Sequence, residues 1–132
     1  IMALSTTIEQ AILKHFLGVQ AYTMPATVYV ALFTTAPTMP AGTGGVEVSG
    51  GAYARQPITF SVTGSGPATA NNTALVQFPT ATANWGTIVA AGLYDATTGG
   101  TLIDATPLQV TKTIGTGDVV AITTENYTAN LT

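Results

Sequence analysis

Apolar and polar positions change their spacing once along this chain, near residue 18. Between residues 6 and 17, Ile8, Ile12, His15 and Phe16 recur on one helical face, with Leu13 beside them. Thr6 and Glu9 have capping-box spacing, so hydroxyl and carboxylate can each satisfy a free backbone N–H. Gly18 is placed to stop the helix, because glycine accepts the left-handed conformation beyond a helix end. Lys14 and His15 fall in the last turn, where the helix dipole favours positive charge.

Beyond residue 26 the period is two. "TVYVALFTT" (27–35) carries apolar residues on both faces, Val28, Val30 and Leu32 against Tyr29, Ala31 and Phe33, which suits a central strand. "APTMPAGTGG" (36–45), rich in proline and glycine, reads as an exposed loop and the reaching arm of the chain. "YARQPITFSV" (53–62) alternates as one strand, with Pro57 marking an edge or a bulge. "GSGPATANN" (64–72) reads as a polar loop, followed by a strand at 73–79 and a connection at 80–86. "TIVAAGLYDA" (87–96) is a second central strand, and the "DATTGG" turn leads to "TLIDATPLQV" (101–110). "IGTGD" predicts a further hairpin into "VVAIT" (119–123), and Tyr127, Ala129 and Leu131 alternate at the end. The expected fold is mainly β: a β-sandwich of about seven to eight antiparallel strands over about 27–131, with one N-terminal α-helix over about 6–17. No repeat or linker divides it, so residues 1–132 are expected to form one domain.

Composition alters this picture in one respect. Charged residues are 7% of the chain, against roughly 25% in a typical soluble domain. Threonine fills many of the vacated positions at about one residue in five, keeping the surface wet without charge. So little charge offers small protection against association, which predicts a surface largely covered by other subunits. A net charge of −3 with no cluster of Lys or Arg gives no grip on nucleic acid. There is no cysteine, so disulfides and thiolate metal sites are excluded. The longest apolar run, "IVAAGLY" (88–94), is far short of the ~20 residues of a spanning helix, so no membrane partner is expected. The first residues carry no basic stretch of a secretory signal, which predicts assembly in a cytoplasm.

No constellation for catalysis, cofactor or metal binding emerges. Asp95 and Asp118 sit in turn sequences, where aspartate caps backbone amides, and Asp104 has no acidic partner at calcium-loop spacing. His15 is the single histidine and reads as a partly buried helix-end residue, with no nucleophile elbow elsewhere. Neither "GTGG" nor "GSG" leads into a helix with a following lysine, as a phosphate loop would. Arg55, one of three basic residues, follows a glycine pair inside an apolar strand. Its planar fork points to structural pinning of carbonyls and of Glu47 across the glycine turn, with subunit contact and ligand binding as alternatives. Trp85 is a candidate glycan contact, set against the usual buried role of aromatics in a sandwich. Thr38, Met39, Pro40 and Thr43 are the candidate partner-contact residues of the loop.

Four blocks, "MALSTTIEQAILKHFLG", "YVALFTTAPT", "VEVSGGAYARQPITF" and "ANWGTIVAAGLYDATTGGTLI", occur in this order. With them the chain resembles a family of small tailed-bacteriophage virion proteins, from Ala3 to about Leu108. Its members are labelled tail-fibre proteins, and similar chains serve as cement or decoration proteins on capsids, including those of cyanobacterial phages. The resemblance offers no catalytic residues and implies a non-enzymatic structural protein of the virion, assembled in the host bacterial cytoplasm. It implies a homotrimeric capsid cement protein that bridges subunits of the major capsid protein or contacts other virion proteins. The alternative is a tail or head fibre domain that meets host glycans.

Overall fold

The computed structural model describes residues 4–64 and 68–131. One helix, α1 (Thr6–Phe16), precedes ten strands. They are β1 (Val28–Thr35), β2 (Val46–Glu47), β3 (Gln56–Ile58), β4 (Phe60–Thr63), β5 (Ala68–Asn72), β6 (Val76–Gln77), β7 (Gly86–Tyr94), β8 (Leu102–Ile114), β9 (Ala121–Ile122) and β10 (Thr128–Leu131). The fold is mainly β, and every strand pairing in it is antiparallel.

A five-stranded sheet runs β2-β1-β7-β8, with β3 sharing the outer edge of β1 beside β2. The small sheets β10-β5-β4 and β6-β9 supply the opposing layer. Between the layers, Val30 and Leu32 of β1, Ile88, Ala91 and Leu93 of β7 and Ile114 of β8 meet Ile58, Val76, Phe78, Trp85 and Tyr127. Ala31, Phe33 and Ala90 form a smaller cluster on the other face of the main sheet. The two-sided apolar pattern of β1 therefore reflects its place between two clusters.

Strand β7 also faces both clusters, and a bulge resets which of its side chains face which. Its register against β8 shifts between Ile88 and Ala90, whose partners are Lys112 and Pro107. Val89 and Ala90 consequently both turn to the smaller cluster, while Ile88, Ala91 and Leu93 point to the larger. Gly92 lies where β1, β7 and β8 are tightest: a Cβ there would stand 2.8 Å from the Phe33 ring and 3.0 Å from the Asp104 carbonyl.

Several sequence expectations are corrected. Ser5, not Thr6, caps the helix: its hydroxyl accepts from the Ile8 N–H (3.4 Å) and donates to the Leu102 carbonyl (2.5 Å). The predicted apolar face of α1 is buried only at Ile8, because the helix touches the body at its first turn and extends away from it. His15 is exposed, its Nδ1 accepting from the Tyr22 N–H at 3.1 Å. The expected strand 53–62 is two strands divided at Thr59, since β3 pairs with β1 in one layer and β4 with β5 in the other. Pro57 sits on the edge strand β3, opposite Tyr29.

In the predicted loop 64–72, residues 68–72 are strand β5; residues 65–67 lie outside the described residues. The turn at 115–118 exists, but β9 beyond it pairs with β6 instead of folding back on β8. Among the described residues ten strands stand where about seven to eight were expected, because short pairings of two residues have too few side chains to print a period. At the C-terminus Tyr127 is buried, while the side chains of Ala129 and Leu131, with which it was expected to alternate, lie outside the described ones.

Asn72 is the buried polar group that joins β5 to the C-terminal segment. Its Nδ2 donates to the carbonyls of Ala74 (2.9 Å) and Thr123 (3.0 Å), and its Oδ1 accepts from the Tyr127 N–H (2.8 Å). Asn72 is 1% exposed and Tyr127 is buried, while Ala74 and Thr123 lie at the exposed end of the junction. Asn72→Ala is expected to cost about 1–3 kcal/mol, since it removes three hydrogen bonds at the junction and leaves the buried Tyr127 N–H without its acceptor. Asn72→Asp keeps the acceptor but sets a carboxylate against two carbonyls, so it is expected to restore none of the loss. Urea unfolding of the three proteins measures this, and a variant that unfolds with the parent would contradict it.

Candidate functional site

The most extensive polar assembly in the molecule centres on Arg55. The Glu47 carboxylate closes β2, and the chain then turns through Gly50, Gly51 and Ala52, all with positive φ. This turn brings Tyr53 and Arg55 back against Glu47. At Gly51 no side chain is tolerated: a Cβ would lie 2.8 Å from Trp85 Nε1, which instead donates to the Gly51 carbonyl at 2.9 Å.

Arg55 meets Glu47 through two parallel bonds, Nε to Oε2 at 2.9 Å and Nη2 to Oε1 at 2.7 Å. Its Nη1 donates to the carbonyls of Ala96 (2.9 Å) and Gly99 (2.8 Å), closing the turn after β7. The guanidinium lies 3.6 Å over the Tyr94 ring, a stacked cation–π contact. Asp95 adds its own closure to the same turn, accepting the Thr101 N–H at 2.7 Å.

Tyr53 links this cluster to the main sheet. Its hydroxyl donates to Glu47 Oε2 at 2.7 Å and accepts the Leu32 N–H at 3.0 Å. Along the edge of β1, β2 pairs from Phe33 onward and β3 only up to Val30. The phenol therefore fills the ladder position that neither short strand reaches.

Burial works to raise the carboxyl pKa of Glu47, but the hydrogen bonds from Arg55 and Tyr53 and the Arg55 charge outweigh it and hold it below its ordinary value. Burial first, then the bond to Glu47, pushes the Tyr53 phenol well up, so it stays a proton donor to that carboxylate. The Arg55 guanidinium is pushed up chiefly by its hydrogen bonds to Glu47. These groups satisfy one another and leave Arg55 7% exposed at its side chain, so the arrangement holds chain segments together.

The other sequence candidates lie apart from this clamp. Trp85 is 5% exposed and edge-on to Tyr53, so the proposed glycan platform is corrected: its ring is enclosed between Tyr53 and the glycine turn. Residues 36–45 were expected to reach outward as an arm, but they fold into a closed turn. Thr38 donates to Thr43 (2.7 Å), Gly42 donates back to Thr38 (2.7 Å), and Pro40 accepts the Thr6 N–H (2.8 Å). Thr38, Pro40 and Thr43 are exposed on this turn and Met39 is half-buried. Asp118 caps Gly115 at 2.8 Å, and Asp104 lies inside at 1% exposure, where burial and its charge raise the Tyr127 phenol pKa.

Among the described residues no three metal-ligating side chains lie together, and no helix is long and apolar enough to cross a membrane. What the surface does show is bare apolar groups: Leu13, Phe16, Leu17, Val19 and Met24 are 59–81% exposed along one short stretch.

Residues 3–130 match the family described as podophage GP4 fiber I protein gp80. The chain belongs to this family. No curated protein matches it. The family is one of phage fibre proteins, so the chain is a structural phage protein, in keeping with the resemblance carried by its sequence blocks. Within this family member, sequence reasoning found the Arg55–Glu47 pair but missed Tyr53, Tyr94 and the two turn carbonyls that complete the clamp. The sequence signal for Tyr53 was available, as it lies two residues before Arg55 on the same side of the alternation. The carbonyls carry no sequence signal at all.

Arg55→Ala is expected to cost about 2–4 kcal/mol by leaving Glu47 and two carbonyls without their donor, and Arg55→Lys to recover only part. Thermal melts check the order parent, Lys, Ala. The clamp also sets an acid limit. Because the folded state holds Glu47 below its ordinary value of 4.5, its contribution is complete above that pH and is lost as pH falls through the lower folded value. Glu47→Gln lacks this contribution, so its deficit against the parent should shrink as denaturation is repeated from pH 7 down to pH 3.

Proposed function

We propose that this chain is a multicopy, non-enzymatic fibre subunit of a tailed-phage virion, whose work is to hold virion proteins together. The match over residues 3–130 to a fibre family carries the proposal. The molecule supports it from the physical side: its most elaborate polar network is spent internally on closing turns, and 7% charged residues leave a surface with little to oppose association. The expected unit is a homotrimer, with other virion proteins as its partners. The exposed Thr38, Pro40 and Thr43 offer a neutral contact patch for such a partner, with Met39 beneath it.

Capsid cement is the second reading, in which the same subunit bridges copies of the major capsid protein. It is favoured by the closed two-layer body, which among the described residues has no extended shaft. The enclosure of Trp85 removes one route by which a fibre domain would stack on a host glycan.

Quantifying the protein per purified particle, with antibody-gold labelling of its position, tests both readings. Up to a few dozen copies at the tail are expected for a fibre. Hundreds of copies spread over the head would replace it with cement, and absence from particles would overturn both. Sedimentation equilibrium of the isolated chain is expected to give about three times 13.4 kDa; a monomer at high micromolar concentration would contradict the self-assembling unit.

A further inference from the structure

Strand β8 is the longest in the fold at 13 residues, and it stands at the end of the main sheet with β7 as its ladder partner. Such an edge offers a row of backbone amides and carbonyls to any passing strand, including the same strand of another copy. The other sheet ends give little to pair with. Strands β2, β6 and β9 have two residues each, β3 has three, and β4 and β10 have four. Between β2 and β3 the Tyr53 hydroxyl already takes the Leu32 amide. Among the described residues β8 is therefore the one edge long enough to template a second sheet.

Its outer side is closed in three successive stretches. At the start, the chain that precedes the helix lies on it. Leu4 bridges Asp104, the Ser5 N–H donates to the Ile103 carbonyl (3.0 Å), and the Ser5 hydroxyl donates to the Leu102 carbonyl. The second stretch follows from the register. Leu32 uses its N–H on Tyr53 and its carbonyl on Val48, both outside the β1–β7 ladder. The pairs that bond β1 to β7 are therefore Ala31 with Gly92 and Phe33 with Ala90. Gly92 and Ala90 thus turn their backbone groups to β1, and their partners on β8, Ala105 and Pro107, turn theirs away from β7. Position 107 is where an outward N–H would stand, and proline has none. In the third stretch Val89 alone faces the four residues 108–111, because Ala90 and Ile88 pair with Pro107 and Lys112. A bulge of this size bends the edge out of line, so a straight strand cannot follow it. Lys112, one of three basic residues, ends the bulge with its side chain exposed.

We propose that Pro107, the bulge at 108–111 and Lys112 keep copies of this chain from joining edge to edge before they are built into a particle. The segment they guard needs such protection. "LQVTKTI" (108–114) is rich in β-branched residues and carries no charge besides Lys112, and Val110 is 71% exposed. The rest of the surface gives little help, with charged residues at 7% of the chain. Proline removes a donor from the edge, and a lysine resists pairing because an added strand would strip water from its ammonium. Lys112 is the one basic residue within a strand: Arg55 lies before β3 and Lys14 on α1. Contacts between copies then run through side-chain faces and not through a continued ladder. This holds for a monomer and for a trimer alike, so it stands apart from the oligomeric state proposed above.

The double variant Pro107→Val/Lys112→Thr tests this, because it restores the outward N–H and removes the charge. Both side chains are exposed, so the melting temperature should stay within a few degrees of the parent. At equal concentration in native buffer, turbidity and thioflavin T fluorescence should rise at least about tenfold faster than in the parent. Adding Val110→Lys to the double variant returns a charge to the same stretch and should bring the rate back to that of the parent. Ser61→Val, which adds an apolar β-former at an exposed position of the four-residue strand β4, should leave the rate unchanged. A double variant as soluble as the parent refutes the proposal. So does one that melts far below the parent and is not rescued by Val110→Lys, since the two residues would then act by holding the fold. Aggregates without a thioflavin T signal refute edge pairing as the route. Equal acceleration by Ser61→Val would assign the effect to added hydrophobicity and overturn the role of the edge.

Discussion

The guanidinium of Arg55 is the point on which the layout of this molecule depends. It brings together the end of β2, the chain entering β3 and the turn that follows β7, segments that are distant in sequence and lack enough strand length to hold one another. A strand of two residues, such as β2, forms too few ladder bonds to define its own position. The fork of Arg55 supplies the missing definition, because four of its N–H bonds have fixed directions relative to one another. Tyr53 extends the same constraint to the main sheet by accepting a hydrogen bond from the Leu32 amide and donating one to Glu47.

A comparable economy appears in the second layer. The short strands β6 and β9 share only two residue pairs, and single buried groups at the junctions of this layer add to its ladders. Asn72 bonds on both sides of its amide, and Trp85 ties its indole to the glycine turn. The bulge in β7 then sets the consecutive Val89 and Ala90 on the same face, which regular alternation would not do. Few of these devices involve net charge, and each satisfies its groups inside the fold.

That inward use of polar groups has a consequence for function. The surface is left with threonine, small residues and a stretch of bare apolar side chains from Leu13 to Met24. For a free monomer such a surface is a liability, whereas in an assembled particle it is an asset, since neutral faces pack without the desolvation penalty of buried charges. Membership of a phage fibre family is consistent with this division: polar chemistry keeps the domain closed, and apolar chemistry is available to neighbours.

The sequence by itself determined the fold class, the position of the helix, the central strands β1 and β7, and the Arg55–Glu47 pair. Each rests on a local pattern: helical spacing, runs of β-branched residues, or a charge placed next to a flexible glycine turn. It also determined that Asp95 and Asp118 serve turns, because aspartate in a glycine-containing turn accepts backbone amides, here those of Thr101 and Gly115. Tertiary structure alone decided that residues 53–63 divide between two layers, that β9 pairs with β6, and that loop 36–45 is tied to the start of the helix. It alone decided that the apolar face of α1 remains open. These outcomes turn on backbone carbonyls and amides, which are identical at nearly every residue and leave no mark in a sequence. They depend on which segments arrive side by side, and that is fixed only when the whole chain has folded.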